Sequence, residues 1–185
     1  MKRRFINCHV MFLSLICMLP LVATSDQSYR TSQTQHDLIE VQNQYVVGFH
    51  RSTSTPSKAK MVQSKSSHPT NFKPLSNLTF HFQTKPTSKF QPASLTQSGY
   101  DFVYPVYERK NSGLKVYPRP EVIVRINSGA SIEALAQRFD LVLLRPLRFA
   151  ENQYLLSHDA SRSPFEVSDS LWEDPDVVWA NPNLI

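Results

Sequence analysis

Apolar residues recur with a clear period in the C-terminal part of the chain. In residues 121–127, Val122, Val124 and Ile126 alternate with other residues, which predicts a strand with one buried face. Ser131 can cap a following helix. In that helix the apolar side chains fall at spacings typical of one amphipathic stripe, which is formed by Ile132, Leu135, Ala136 and Phe139.

The pattern continues with two short apolar segments and a second helix. Residues 141–147 and 152–156 predict strands. Ser163, Pro164 and Glu166 match a helix start, as the cap, the first helical position and the third residue after the cap. That helix should end at Asp174-Pro175, and residues 177–180 give a last strand.

This order of elements predicts an α+β fold of the ferredoxin-like βαββαβ class. It has a four-stranded antiparallel sheet with two helices on one face. We expect it to be preceded by a largely irregular N-terminal region with a few short strands. The sheet face opposite the helices has no cover of its own, so it is a natural place for a partner to dock.

The preceding part of the chain has a different pattern. Residues 51–98 are crowded with Ser, Thr, Gln, Lys and Pro, which predicts low order. Short apolar segments at 44–49 and 78–82 have strand composition, and so does 102–107, where Pro105 favours an edge or a bend. We therefore expect three parts: residues 1–25, a low-order region (26–98) and a compact unit (99–185) with core 120–180 and tail 181–185.

Residues 1–25 resemble an export signal. Lys2, Arg3 and Arg4 precede an apolar run from 10 to 22, and small residues follow before a cleavage site expected at Asp26. An uncleaved anchor helix is the alternative, but the run is short for a membrane span. We expect a secreted or periplasmic protein with no membrane attachment after cleavage.

Composition and charge limit the kinds of site and partner that the chain can have. Both cysteines, Cys8 and Cys17, lie in the signal, so the mature chain has no disulfide, no Cys-ligated metal and no thiol nucleophile. Removal of residues 1–25 leaves 17 bases and 15 acids, a net charge of +2, so the charge gives little reason to expect nucleic-acid binding. The charge is unevenly divided, with 11 bases and 5 acids in residues 26–115 and 6 bases and 10 acids in residues 116–185. We expect no cofactor and no metal site. The acidic cluster of Glu173, Asp174 and Asp176 lacks calcium-loop spacing and favours a solvated helix end.

Residues 100–185 resemble the propeptide of subtilisin-like serine proteases, the subtilases. The matching pieces stand in order and begin with Tyr104-Pro105-Val106-Tyr107 and Ser112-Gly113. Ser170-Leu171-Trp172-Glu173, followed by Val177-Val178-Trp179-Ala180-Asn181-Pro182-Asn183, is similar to the family's closing L-x-E … V-x-Y-A-E-P-N signature. Asn181 stands where the family usually has an acid. The catalytic motifs of the family are absent from this sequence, so we expect no enzyme activity and no catalytic residue.

The resemblance implies a folding template and inhibitor of a subtilisin-like serine protease. In that role the open sheet face packs on the protease, and the tail lies in the substrate cleft as an added strand. Trp179 and Leu184 are the expected anchors. The candidate protease-contacting residues are Trp179, Asn181, Pro182, Asn183, Leu184 and Ile185. We expect a monomer when the protein is free.

Two alternatives remain open. In the first, the chain is an N-terminal pre-pro fragment of a truncated subtilase gene and has no activity of its own. In the second, it is a basic surface-binding module. The second would use residues 26–115 on anionic polymers, with binding that weakens steeply as salt rises.

Overall fold

A computed structural model describes residues 27–31, 34–49, 72–84, 99–148 and 150–185. They form two antiparallel sheets, of six and four strands, and two helices. Strands hold 54% of these residues and helices 13%. The expected export signal at 1–25 and most of the expected low-order segment at 51–98 lie outside the described residues.

The predicted ferredoxin-like α+β class is wrong. The described chain is mainly β, because a six-stranded sheet stands beside the four-stranded one. The prediction failed because it relied on local apolar periods. A strand held by main-chain pairing with distant segments needs few buried side chains of its own, so a polar segment such as residues 35–42 gives little local signal.

The six-stranded sheet has the order β3-β4-β2-β5-β6, and β1 pairs with β2 as well. Its longest strand, β2, pairs with β4 on one side and β5 on the other, and it bends at a bulge where Asn43 has a φ of 60°. β5 and β6 lie C-terminal to the boundary expected at residue 98, yet they belong to this sheet. The strands are β1 (Gln27–Arg30), β2 (Gln35–Gly48), β3 (Phe72–Ser76), β4 (Thr79–Gln83), β5 (Phe102–Arg109) and β6 (Lys115–Val116).

The four-stranded sheet has the order β10-β7-β9-β8, with every neighbouring pair antiparallel. Both helices pack on one face, where an aliphatic core includes Val122, Val124, Leu135, Leu156 and Leu171. The elements are β7 (Pro118–Ile126), α1 (Ile132–Arg138), β8 (Val142–Pro146), β9 (Gln153–Ser157), α2 (Pro164–Trp172) and β10 (Val177–Leu184).

Each element predicted between residues 121 and 180 is present, with shifted bounds. The Ser131 hydroxyl caps α1 by accepting from the Ala134 N–H at 3.2 Å. Ser163 takes the cap position of α2 but makes no side-chain capping bond. β7 begins earlier than expected, at Pro118, and β10 runs on through Leu184 instead of ending at Ala180.

The two sheets are joined through α2. Phe165 of α2 is buried against Tyr29 of β1 and Tyr107 of β5, with ring centroids 6.0 and 5.2 Å away. The Tyr104 hydroxyl donates to the Arg162 carbonyl just before α2, at 3.1 Å. These contacts attach the six-stranded sheet to the helical side of the four-stranded one.

Candidate functional site: the open sheet face and the C-terminal strand

The sheet face opposite the helices is defined by strand alternation. Val122 and Val124 lie in the core under the helices, so Ile123 and Arg125 point to the other face. Strand register extends this face to the neighbours of those two residues. The same alternation places Glu121 on this side with its row partners Ser157 and Val142, so the open face consists of Glu121, Ile123, Arg125, Val142, Arg145, Gln153, Leu155, Ser157, Trp179 and Asn181.

The open face is apolar at its centre and charged around it. Leu155 is 2% exposed, while Ile123 and Trp179 are half-buried. At β8 the Val142 side chain is 62% exposed. Arg125 and Arg145 are exposed. Since α1 and α2 both pack on the opposite side of the sheet, this face can accept another protein without disturbing the aliphatic core.

A buried polar network ties β10 to the start of β7. Arg119 and Glu121 are 3% and 2% exposed, and the Arg119 Nη2 lies 2.9 Å from the Glu121 Oε1. The other carboxylate oxygen of Glu121 accepts from the Asn183 Nδ2 at 2.6 Å. A buried carboxylate is tolerated only when its charge and its lone pairs are matched, and here both oxygens are engaged. Sequence reasoning placed Asn183 in a free tail and missed its hydrogen bond to Glu121.

The residues expected to form a free tail are instead the second half of β10. Pro182 is buried and pairs with Val122. Leu184 packs on the buried cluster around Phe165. The Ile185 main chain both donates to and accepts from Tyr117, each bond 3.1 Å long, although its side chain is 41% exposed.

The outer edge of β10 is partly covered. The Trp172 Nε1 donates to the Ala180 carbonyl at 2.6 Å. The Arg30 guanidinium lies over the Trp172 ring, 5.5 Å from its centroid. The Asn181 amide is oriented so that its nitrogen faces two carbonyl oxygens. It donates to the Arg30 carbonyl at 2.7 Å and to the Ala180 carbonyl at 2.9 Å. Of the six predicted contact residues, Trp179 is therefore the large side chain that faces outward on the open face, whereas Leu184 is used internally.

The predicted acidic cluster is held by an arginine. Arg138 contacts Asp174 at 2.9 Å and Asp176 at 2.8 Å. Hydrogen bonds to these two carboxylates raise the pKa of Arg138.

Among the residues that the structure describes, no group of three or more His, Cys, Asp or Glu side chains is placed to hold a metal ion. None of the described helices has the length and apolar character needed to cross a bilayer.

A pocket of about 250 Å³ lies where the two sheets meet. Its lining includes Tyr104, Tyr107, Pro118 and Phe165. Burial, with smaller contributions from Glu40 and Glu166, raises the pKa of Tyr107 to about 12, so this phenol stays neutral at physiological pH. The pocket therefore presents Tyr107 as a neutral phenol, next to the polar lining residues Ser161, Arg162 and Ser163.

No family model matches the chain, and neither a curated protein nor a solved structure matches it. The likeness to subtilase propeptides thus remains a prediction from the residues quoted above. The basic-surface alternative rests on residues 26–115, of which 26, 32–33, 50–71 and 85–98 lie outside the described part.

Proposed function

We propose that this protein binds a subtilisin-like serine protease and acts as its inhibitor, its folding partner or both. The observation that carries the proposal is the open face of the four-stranded sheet. It presents a partly buried apolar centre with Trp179 at the edge strand, and the helices leave it uncovered. Interfaces are stabilised mainly by such aromatic and aliphatic groups in a partly desolvated setting.

The fold gives this contact a rigid platform. β7 lies between β9 and β10, so Ile123, Leu155 and Trp179 are held in register by main-chain pairing on neighbouring strands. A partner that packs on them orders few new side chains, which keeps the entropic cost of binding low.

The tail has a secondary part in the proposed contact. To enter a substrate cleft, Ile185 and Leu184 must first leave Tyr117 and the cluster around Phe165. Because that release breaks two main-chain hydrogen bonds and exposes a leucine, the face binds first and the tail follows only when the cleft offers equivalent pairing.

The test measures inhibition of purified secreted subtilisin-type proteases by the full chain. The chain is used in the form in which an expression host releases it. We expect an inhibition constant on the order of 1 μM or tighter. Trp179→Ala should weaken inhibition about tenfold, since it removes the aromatic side chain of the open face. Ile39→Ala is the matched control, because Ile39 is an apolar side chain that is 41% exposed and lies on β2 of the other sheet.

A second arm measures how fast a denatured subtilase regains activity with and without the chain. Faster recovery without inhibition would support the folding-partner role alone. If a demonstrably folded chain changes neither activity nor recovery, the proposal is overturned.

A further inference from the structure

Two arginines on the open face have no partner within the described part of the chain. Arg125 of β7 and Arg145 of β8 are both exposed. Arg125 pairs in register with Gln153 and Trp179, and Arg145 pairs with Leu155. They therefore stand beside the apolar centre of the face and not at a remote corner of the molecule.

Three acids of the four-stranded sheet and its flanking helix end are already engaged by other side chains. Glu121 is held by Arg119 and Asn183 inside the protein. Asp174 and Asp176 are held by Arg138. Among the residues that the structure describes, Arg125 and Arg145 therefore add positive charge without an ion pair to the open face, although residues 116–185 as a whole carry 6 bases and 10 acids. A local sign opposite to that of its surroundings indicates a surface selected for a charged partner.

We infer that the open face docks on an acidic patch of its protein partner. The inference rests on the proposed function and names the chemistry of the partner's docking surface. Carboxylates of the partner meet Arg125 and Arg145, while its apolar side chains cover Ile123, Val142 and Trp179. Arginine suits this role because its planar fork binds a carboxylate through two hydrogen bonds and is more weakly hydrated than an ammonium group.

If complementary charges contribute to binding, the affinity should depend on salt concentration. Attraction between exposed charges is screened within about 10 Å at 0.1 M ionic strength. The apolar part of the contact keeps its strength, so binding should weaken with salt and then level off. The arginines should account for the part that salt removes.

The test compares two double variants with the same net charge. Arg125→Gln with Arg145→Gln removes the pair on the open face, and Lys73→Gln with Lys110→Gln removes two exposed lysines of the other sheet region. Inhibition constants against a purified subtilisin-type protease are measured at about 0.05 M and 0.5 M salt. We expect the arginine variant to bind about tenfold more weakly at low salt and to lose most of its salt dependence, with the lysine variant within about twofold of the parent.

The outcomes separate this inference from the proposed function. If the parent inhibits and the arginine variant inhibits equally well, the acidic-partner inference is wrong and the proposed function stands. If the parent inhibits no protease, the proposed function fails. The inference is then decided by titrating the labelled chain with a glutamate-rich peptide and following the Arg side-chain NMR signals. Selective shifts at Arg125 and Arg145, lost in the double variant, would support it, and their absence would overturn it.

Discussion

The two sheets bury their apolar residues in different ways. The four-stranded sheet has one core, built of Val, Ile, Leu and Ala and covered by two helices. The six-stranded sheet has several smaller clusters dominated by Phe and Tyr, such as Phe49, Phe80 and Phe82. An aliphatic core under amphipathic helices leaves a periodic trace in the sequence, whereas aromatic clusters gather from distant strands. The comparison shows why the local sequence pattern predicts the four-stranded sheet and its helices but not the six-stranded sheet.

The junction between the regions should give the largest effect. Phe165→Ala removes the ring that packs on Tyr29 and Tyr107, and we expect a loss of about 4 kcal/mol in unfolding free energy. Because Phe165 belongs to both regions, denaturant unfolding should also split from one transition into two. Leu171→Ala is the control, since Leu171 is buried in the aliphatic core alone. A single unshifted transition for Phe165→Ala would show that the sheets do not depend on this contact.

The buried network at the start of β7 comes next. Glu121→Gln leaves the Arg119 guanidinium buried beside a neutral amide, and we expect a loss of about 3 kcal/mol measured by urea denaturation. Replacing both residues together, as Arg119→Met with Glu121→Leu, should recover most of that loss. If the double variant is as unstable as the single one, the charge pair is not the origin of the effect.

A third change acts inside the six-stranded sheet. A Cβ on Gly48 would lie 2.3 Å from the Leu78 carbonyl oxygen and 2.7 Å from the Phe102 ring. Gly48→Ala should therefore cost about 2 kcal/mol, seen as a lower thermal midpoint. Gly129→Ala, in the turn before α1, is the contrasting variant. Its Cβ meets no atom within 4 Å, so its cost comes from the positive φ of 91° alone. An unchanged thermal midpoint for Gly48→Ala would indicate that close packing at Gly48 is unimportant.

The smallest expected effect concerns pH. Burial, followed by the charges of Lys115 and Lys73, lowers the pKa of His81 from its usual 6.5. The unfolded chain then binds more protons than the folded one between the two pKa values, so stability is complete above about pH 6.5 and declines as pH falls below it. His81→Gln, which can keep a hydrogen bond to Gln44, should flatten that decline in a series of denaturation curves. An unchanged slope would contradict the assignment.

The sequence allowed the C-terminal elements to be predicted because their signals are local. The stripe of α1 and the alternation in β7 each lie within ten residues. The six-stranded sheet could not be predicted in the same way. The bulge at Asn43 breaks the period of β2, and its partner β5 lies some sixty residues further along the chain, so main-chain pairing and not composition makes it a strand.

The candidate site was partly predictable for the same reason. Strand alternation identifies an open face, and Trp179 falls on it. The internal use of Leu184 and Asn183 was not predictable, because their partners Phe165 and Glu121 are brought close only by the packing of α2 and β7. Arg125 was detectable from the alternation of β7, although it belongs to no motif. Arg145 was not, because a bulge between Leu143 and Arg145 interrupts the alternation of β8.

The position of β10 beside β7 has a consequence for biosynthesis. Of the four strands of its sheet, β7 is made first and β10 last, yet they are neighbours. During translation the six-stranded sheet can assemble once Val116 has emerged, while β7 keeps an unpaired edge until residue 184 follows. A pause in synthesis before residues 177–184 emerge would prolong that exposure and invite pairing with other nascent chains. Prompt emergence of residues 177–184 is thus a condition for avoiding aggregation.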